Sequence, residues 1–475
     1  MKISFTNADV SQAPPGFTIV RLTEEKTTRF LSEEGQEILE FGMGRKRTEV
    51  NRRRFALILR NIIQTAKQHR RPRIAIGLNK SPFPQLARVP LPELASLIAQ
   101  NFELANFEYR EYKTPPPDGW SSVEEVLICG TMPQSMKKGF EKGNLIGGEV
   151  NKCRTLANTP GGDMTPKKLA EAAKEAVKGT KVEVTVLGQN ALENLKMGAI
   201  LGVARGSQEE PQFIIMEYWG AGKNGSKPIV LCGKGVTFDS GGLNVKPGDS
   251  MYEMHMDMSG GAAVIHAVAL AAKLGLKKNV VGLIPAVENM PSGSSYHPGD
   301  VLRSLSGKTI EVLNTDAEGR VILADALTYA KQYKPRLVVD VATLTGASLV
   351  ALGQHAHAIL TKDKKLEKLF QELGEEAGEY VWPLPLWDEY EEYVKGTFGD
   401  VANIASSGNS RYGGVINGAM FLYQFTKNDP PAGGQAYPWV HIDMAPRMTS
   451  VPSDNLAKGA TGEPVRLLFK VIENL

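Results

Sequence analysis

PIVLCGKGVTFDSGGLNVKPGDSMYEMHMDMSGGAAVIHAVALAAKLGLKKNVVGLIPAV, residues 228–287, carries the organisation of the larger part of the chain in one stretch. An apolar run, PIVLCG, ends in a glycine-rich loop; the loop opens into an alanine-rich helical pattern over residues 260–274, and a second apolar run, NVVGLIPAV, follows. Short apolar runs bounded by glycine read as buried strands, and strand, helix, strand in that order predicts parallel pairing through a crossover. Outward from this unit, VEVTVL at 182–187, QFIIMEYW at 212–219, TIEVL at 309–313 and RLVVDV at 336–341 read as further strands, with a second helix at 320–331. The alternation predicts a mostly parallel sheet flanked by helices. Ligands of such sheets bind outside the carboxyl ends of the strands.

Upstream, helical patterns at residues 49–68 and 91–106 alternate with β-rich runs at 73–78 and 123–130, a second α/β signature. PPPDG at 115–119 reads as a loop, and NTPGGDMTP at 158–166 breaks structure more decisively. The expected layout is a smaller N-terminal α/β domain over residues 1–145, a linker helix and loop at 146–166, and a larger C-terminal catalytic domain over 167–475. A length of 475 residues suits two or three domains of about 100–200 residues each.

Composition narrows the class. Hydrophobic residues make up 42% and charged residues 23%, so the chain reads as globular and without a membrane span. A net charge of +3 excludes a strongly acidic or histone-like chain. Three scattered cysteines, Cys129, Cys153 and Cys232, cannot build a disulfide framework or a thiolate zinc site. The opening MKISFTNADV has no basic region followed by an apolar core, so no secretory signal is expected and the cytoplasm is the expected compartment.

The chemistry falls where the strands end. After PIVLCG come Lys234, Asp239, Lys246 and Asp257; after TIEVL comes NTDAEGR, with Asp316, Glu318 and Arg320. Carboxylates gathered in one pocket repel one another, so such a site either raises some pKa values strongly or binds cations. Two divalent ions match the charge of Asp239, Asp257, Asp316 and Glu318 together. Carboxylate-rich, cysteine-poor sites suit Mg, Mn or Zn, and two ions about 3.5–4 Å apart can share oxygens and activate a water. Lys234 and Lys246 are then salt-bridge partners, or a buried lysine that loses its proton becomes a nitrogen ligand. Taken singly, each acid is equally a cap, a turn residue or a solvated charge. GKG lacks the rest of a phosphate loop and gives little ground for nucleotide binding.

NTDAEGR at 314–320 resembles the signature of the leucyl aminopeptidase family, the hexameric two-metal peptidases also called cytosol aminopeptidases. GKGVTFDSGGLNVK at 233–246, ENMPSGSSYHPGDV at 288–301 and VDVATLTGA at 339–347 look like three further family blocks in the expected order. The resemblance runs from about NTPGGDMTP to the carboxyl terminus and is weak in the first 140 or so residues.

It implies that Lys234, Asp239, Asp257 and Glu318 hold one metal ion, Mn or Zn, and that Asp239, Asp316 and Glu318 hold the second. It further implies that a metal-activated water attacks the scissile carbonyl, that Lys246 stabilises the oxyanion, and that Arg320 holds a bicarbonate ion that shuttles the proton. The substrates implied are peptides with a free amino terminus. Met254, Thr343, Leu344, Gly346, Ala445 and Met448 would form the side-chain pocket, small or apolar enough to suit an uncharged residue such as Leu or Met. The methionines read equally well as core residues. A cytoplasmic homohexamer is implied as well.

Two positions depart from the family pattern: His297 stands where arginine is common, and Pro446 where glycine is usual. Neither is a ligand position; Pro446 bears on the shape of the specificity loop, since proline fixes φ and lacks an N–H. The main alternative in another class is nucleic-acid binding as a second function. Residues 44–73 hold eleven Lys or Arg against the single acid Glu49, a charge density that can track phosphates. The structural alternative is a solvated or subunit-contacting face.

Overall fold

The computed structural model describes residues 1–77, 83–409, 412–428, 434 and 436–475. The chain forms two compact units, residues 1–151 with 450–458, and residues 152–449 with 459–475.

The first unit is built on six strands: β1 (Lys2–Thr6), β2 (Thr18–Thr23), β3 (Arg29–Glu33), β4 (Gln36–Gly42), β5 (Arg73–Gly77) and β6 (Glu125–Cys129). They lie in the order β1-β6-β5-β2-β4-β3, parallel except for the β3–β4 hairpin. The expected strand at 73–78 is β5, and its last residue, Leu78, lies outside the described residues. The helix Arg52–Gln68 starts where the Asn51 side chain accepts the Arg54 N–H at 3.0 Å, satisfying a donor the helix cannot. Phe55, Leu59, Ile62 and Ala66 repeat at helical spacing and pack with Ile98, Phe102 and Ala105 of the helix Leu91–Asn106 on the β-sheet.

That packing also accounts for part of the basic segment. Arg60 is buried, donating through Nε to Asn101 Oδ1 at 2.8 Å, and Lys67 is buried against the end of the neighbouring helix. Arg71 pairs with Glu37 at 2.6 Å, and Arg47 and Arg54 donate to backbone carbonyls. These cations hold the unit together, and nothing in their arrangement favours a phosphate-tracking face.

The second unit carries a nine-stranded sheet. Its strands are β7 (Glu183–Leu187), β8 (Gln212–Trp219), β9 (Ile229–Gly233), β10 (Gly235–Asp239), β11 (Asn279–Asn289), β14 (Leu337–Ala342), β15 (His357–Leu360), β16 (Val381–Pro383) and β18 (Trp439–Asp443). A separate small sheet is made of β12 (Val301–Arg303), β13 (Thr309–Glu311) and β17 (Val401–Ala402). The large sheet runs β16-β15-β18-β14-β9-β11-β8-β7, with β10 on β11. The pairs β18–β14, β14–β9, β9–β11 and β10–β11 are parallel; β11–β8, β8–β7 and β15–β18 are antiparallel.

β9 and β14 are buried along their whole length, which is why they read as near-continuous apolar runs rather than alternating ones, interrupted only in β14 by Asp340, which pairs with Trp439 and His441. Helices cover both faces. A Cβ on Gly282 would meet Val264 and Val268 of the helix Ser259–Lys273. Its neighbours Val281 and Leu283, which point the other way, pack with Val321 and Ile322 of the helix Glu318–Ala330.

Two expectations need correction. The TIEVL run is not a strand of the large sheet; it forms β13 in the small one, so NTDAEGR is not carried by a neighbouring parallel strand. The run GVTFD, read as part of a glycine-rich loop, is the strand β10.

Candidate metal centre

The carboxyl ends of the central parallel strands supply the side chains. Lys234 follows β9, Asp239 ends β10, Asn289 ends β11 and Thr343 follows β14. Asp257 lies just ahead of the helix Ser259–Lys273, and Glu318 and Arg320 stand in the first turn of the helix Glu318–Ala330, which packs on β9, β11 and β14. A helix on the sheet and the loop that leads into it, rather than a strand within the sheet, therefore deliver Glu318 and Asp316.

Lys234 is the centre of one cluster. Its Nζ lies 2.7 Å from Asp257 Oδ2 and 2.8 Å from Glu318 Oε1, and donates to the Thr343 carbonyl at 3.1 Å. Thr343 Oγ1 in turn donates to Asp257 Oδ1 at 2.6 Å. Lys246 is the centre of the other, 2.8 Å from Asp239 Oδ2 and in contact with Asp316 Oδ1. Asp239 Oδ1 accepts from Asn289 Nδ2 at 2.8 Å and from the Gly241 N–H at 2.9 Å. Gly241 has a φ of +87° and Gly242 of +64°, a turn that residues with a Cβ rarely adopt.

Electrostatics follow from burial. Asp239, Asp257 and Glu318 are each at most 3% exposed, while Asp316 is about one-third open. Burial pushes the Asp257 carboxyl up to about 8 and, with Glu318 and Asp316 nearby, Asp239 up to about 6. Asp316 is also raised by burial. Burial works against ionisation of Glu318 too, but Lys234 and Lys246 outweigh it and hold this carboxyl below its usual range. For both lysines burial opposes the charge, and the surrounding carboxylates win and raise them. Burial draws Arg320 down to about 10, which leaves the guanidinium charged at neutral pH.

The donor set fits divalent cations. One oxygen each of Asp239, Asp316 and Glu318 lie within 4.8 Å of one another. Glu318 Oε2 is buried with no hydrogen-bond partner, a costly arrangement for a carboxylate unless a cation takes it up. The carboxylate donors are all oxygens, and Lys234 would add an amine nitrogen once a bound cation displaced its proton, a set that suits Mn or Zn. Arg320 donates through Nη1 to the Asn403 carbonyl at 2.9 Å, and its buried Nε has no acceptor, which suits a small oxyanion.

A cavity of about 710 Å³ opens beside the acids, lined by Asn314, Asp316, Ala317, Arg320, Leu344 and Gly346 among others. Of the expected pocket residues it takes in Leu344 and Gly346. Met254, Thr343, Ala445 and Met448 are not part of its wall, and Thr343 spends its hydroxyl on Asp257.

Residues of no obvious chemical promise complete the arrangement. Asn403, fully buried, accepts the Leu313 N–H at 2.8 Å and donates to the Asn314 carbonyl at 2.6 Å, pinning the loop that carries Asp316. Asn289 joins the Asp239 turn to Thr315. Asn289 sits inside a recognised block at the end of a strand, and nothing else in the sequence marks it.

Residues 151–469 match the model of the cytosol aminopeptidase family, catalytic domain. The chain is similar to the probable cytosol aminopeptidase of Aromatoleum aromaticum (strain DSM 19018 / LMG 30748 / EbN1), 48% identical over 347 residues, 73% of this chain and 66% of that one. It is similar to that of Paraburkholderia phymatum (strain DSM 17167 / CIP 108236 / LMG 21445 / STM815), 43% identical over 368 residues, 77% of this chain and 70% of that one. The alignment thus spans about two thirds of these relatives' length. Among solved structures, the bottromycin maturation enzyme BotP in complex with Mn superposes with a TM-score of 0.84 at 29% identity, covering 96% of this chain and 98% of that one.

Proposed function

Because the chain belongs to the cytosol aminopeptidase family, a family of hydrolases, we propose that it is a metal-dependent aminopeptidase that releases uncharged amino-terminal residues, Leu or Met among them, from peptides. The observation that carries this reading is the meeting of Asp239, Asp316 and Glu318 oxygens within 4.8 Å beside a buried, unpaired Glu318 oxygen. The manganese named for BotP supports the same choice of cofactor here.

Lys234, Asp239, Asp257 and Glu318 would hold one ion, and Asp239, Asp316 and Glu318 the other, so that Asp239 and Glu318 serve both. Two divalent ions bound there would supply Lewis acidity toward the scissile carbonyl and lower the pKa of a bound water to near neutrality.

The chain's own residues do the rest. Lys246, partly exposed beside Asp239 and Asp316, is the cation available to the oxygen on which negative charge develops. Arg320 would hold bicarbonate through its unpaired Nε. Met254, Thr343, Leu344, Gly346, Ala445 and Met448 would set side-chain preference, and the cavity walled by Leu344 and Gly346 supports an apolar occupant. Kinship supports a cytoplasmic homohexamer as the working form, which light scattering reads directly.

The test is release of p-nitroaniline from leucine p-nitroanilide by metal-stripped protein, before and after Mn or Zn is restored, with Asp316→Ala alongside. Metal-dependent release that the substitution abolishes supports the reading, as does failure to cleave the N-acetylated substrate. A folded protein that cleaves nothing with either metal refutes it.

A further inference from the structure

Asn289 is fully buried, uncharged and fifty positions from the acid it touches. It is the last residue of β11, in register with Asp239 at the end of β10, so the parallel pairing sets the two side chains next to each other. A register shift lies between Val236 and Phe238, and Asp239 meets Asn289 only after it.

Both hydrogens of the amide are spent. Nδ2 donates to Asp239 Oδ1 at 2.8 Å and to the Thr315 carbonyl at 3.0 Å. The backbone carbonyl of Asn289 accepts twice from Ser240, from N at 3.1 Å and from Oγ at 2.7 Å. Thr315, also fully buried, receives Tyr296 OH at 2.7 Å and donates its hydroxyl to the Gly241 carbonyl at 2.7 Å. One amide thereby ties the Asp239 turn to the residue preceding Asp316. A Cβ on Gly242 would come 2.7 Å from Asn289 Oδ1, so the turn is shaped around this amide.

The chemical type matters. Asp239 Oδ1 already accepts two N–H groups, which leaves Oδ2, paired with Lys246 at 2.8 Å, as the oxygen a divalent ion would take up in place of that lysine. An amide does this without adding charge, whereas a lysine or arginine there would compete with a cation for the same carboxylate. We infer that Asn289 is a positioning residue for the metal centre: it fixes the rotation of Asp239 and the separation of the two acid-bearing loops, and so sets metal affinity without touching substrate.

The inference rests on the two-metal reading above, and its test keeps the two apart. Full-length wild type, Asn289→Ala and Asn289→Ser are stripped of metal, titrated with Mn(II) by electron paramagnetic resonance, checked by circular dichroism, and assayed on leucine p-nitroanilide at saturating Mn. The expected result is folded variants with Mn(II) affinity weakened about ten- to a hundredfold, kcat reduced and KM little changed. Asn289→Ser, which keeps one donor, falls between wild type and Asn289→Ala. Wild-type Mn(II) affinity in folded Asn289→Ala overturns the inference and leaves the aminopeptidase standing. A wild type that neither binds Mn(II) nor cleaves substrate overturns both. Failure of both variants to fold marks Asn289 as purely structural and also overturns it.

Discussion

Gly319→Ala puts the proposed role of Lys234 to a direct test. Gly319 lies in the first turn of the helix Glu318–Ala330, and a Cβ there would stand 2.5 Å from Lys234 Cε, 2.7 Å from Nζ and 2.8 Å from Cδ. Ordinary carbon contacts are about 3.5–4.0 Å, so the lysine must withdraw by about 1 Å. It has little room, being 3% exposed and held between Asp257 and Glu318.

Overpacking of this kind costs about 1–3 kcal/mol, while alanine returns about 1 kcal/mol through its better helix propensity. The net destabilisation, about 0–2 kcal/mol, should leave the protein folded. Activity responds differently. A displacement of about 1 Å at a positioned group costs about a hundredfold in rate, or about 2.7 kcal/mol at 1.36 kcal/mol per tenfold. We therefore expect kcat/KM on leucine p-nitroanilide to fall at least about a hundredfold at saturating Mn, with the melting temperature lowered by only a few degrees. A Gly319→Ala protein with wild-type turnover and metal content would refute the assignment of Lys234 to the centre.

Two further predictions concern the scaffold. Asp325 is fully buried and accepts the N–H groups of Ala199, Ile200 and Leu305 at 3.1, 3.0 and 2.7 Å, so Asp325→Ala leaves two buried donors and one half-buried donor unpaired and should cost about 3 kcal/mol. Urea unfolding reads this, and a loss below about 1 kcal/mol would contradict it. Burial opposes ionisation of Glu463, yet Arg447 at 2.7 Å, together with His357, holds its carboxyl well below the usual range. A depressed folded pKa means that the stabilisation is complete above the unfolded value of about 4.3 and declines as pH falls below it, because the unfolded chain then takes up the proton first. Glu463→Gln should accordingly flatten the loss of stability between about pH 5 and 3, and an unchanged acid limb would argue against this pair as a source of it.

How much of this the sequence carried depends on whether a residue's type announces its use. Asp239, Asp316, Glu318 and the two lysines were legible because ionisable groups gathered at strand ends demand either cations or shifted pKa values. β9 and β14 were legible because burial on both faces leaves a near-continuous apolar run, broken in β14 by Asp340 alone. β10 was not: it is five residues long, begins on glycine, and among the described residues its backbone pairs with β11 alone, so GVTFD looks locally like the loop that continues from it. Strand direction was hidden too, since the FIIM core of β8 is as apolar as the parallel strands of the sheet and yet β8 runs antiparallel to both β11 and β7.

Asn289 and Asn403 were beyond reach for a different reason. A neutral amide has no preferred chemistry; what it does is decided by what another part of the chain, fifty and eighty-nine positions away, sets against it. The acids state what the site requires, whereas the amides depend on the register of β10 on β11 and on the packing of a helix on the sheet. Loss of Asp316 should therefore empty the one position it helps to hold, while loss of an amide should weaken binding in proportion to the freedom returned to one carboxylate. A graded series across Asp316→Ala, Asn289→Ala and Asn289→Ser follows from that difference, and a common all-or-none loss would mean that the amides and the acids act as one structural unit.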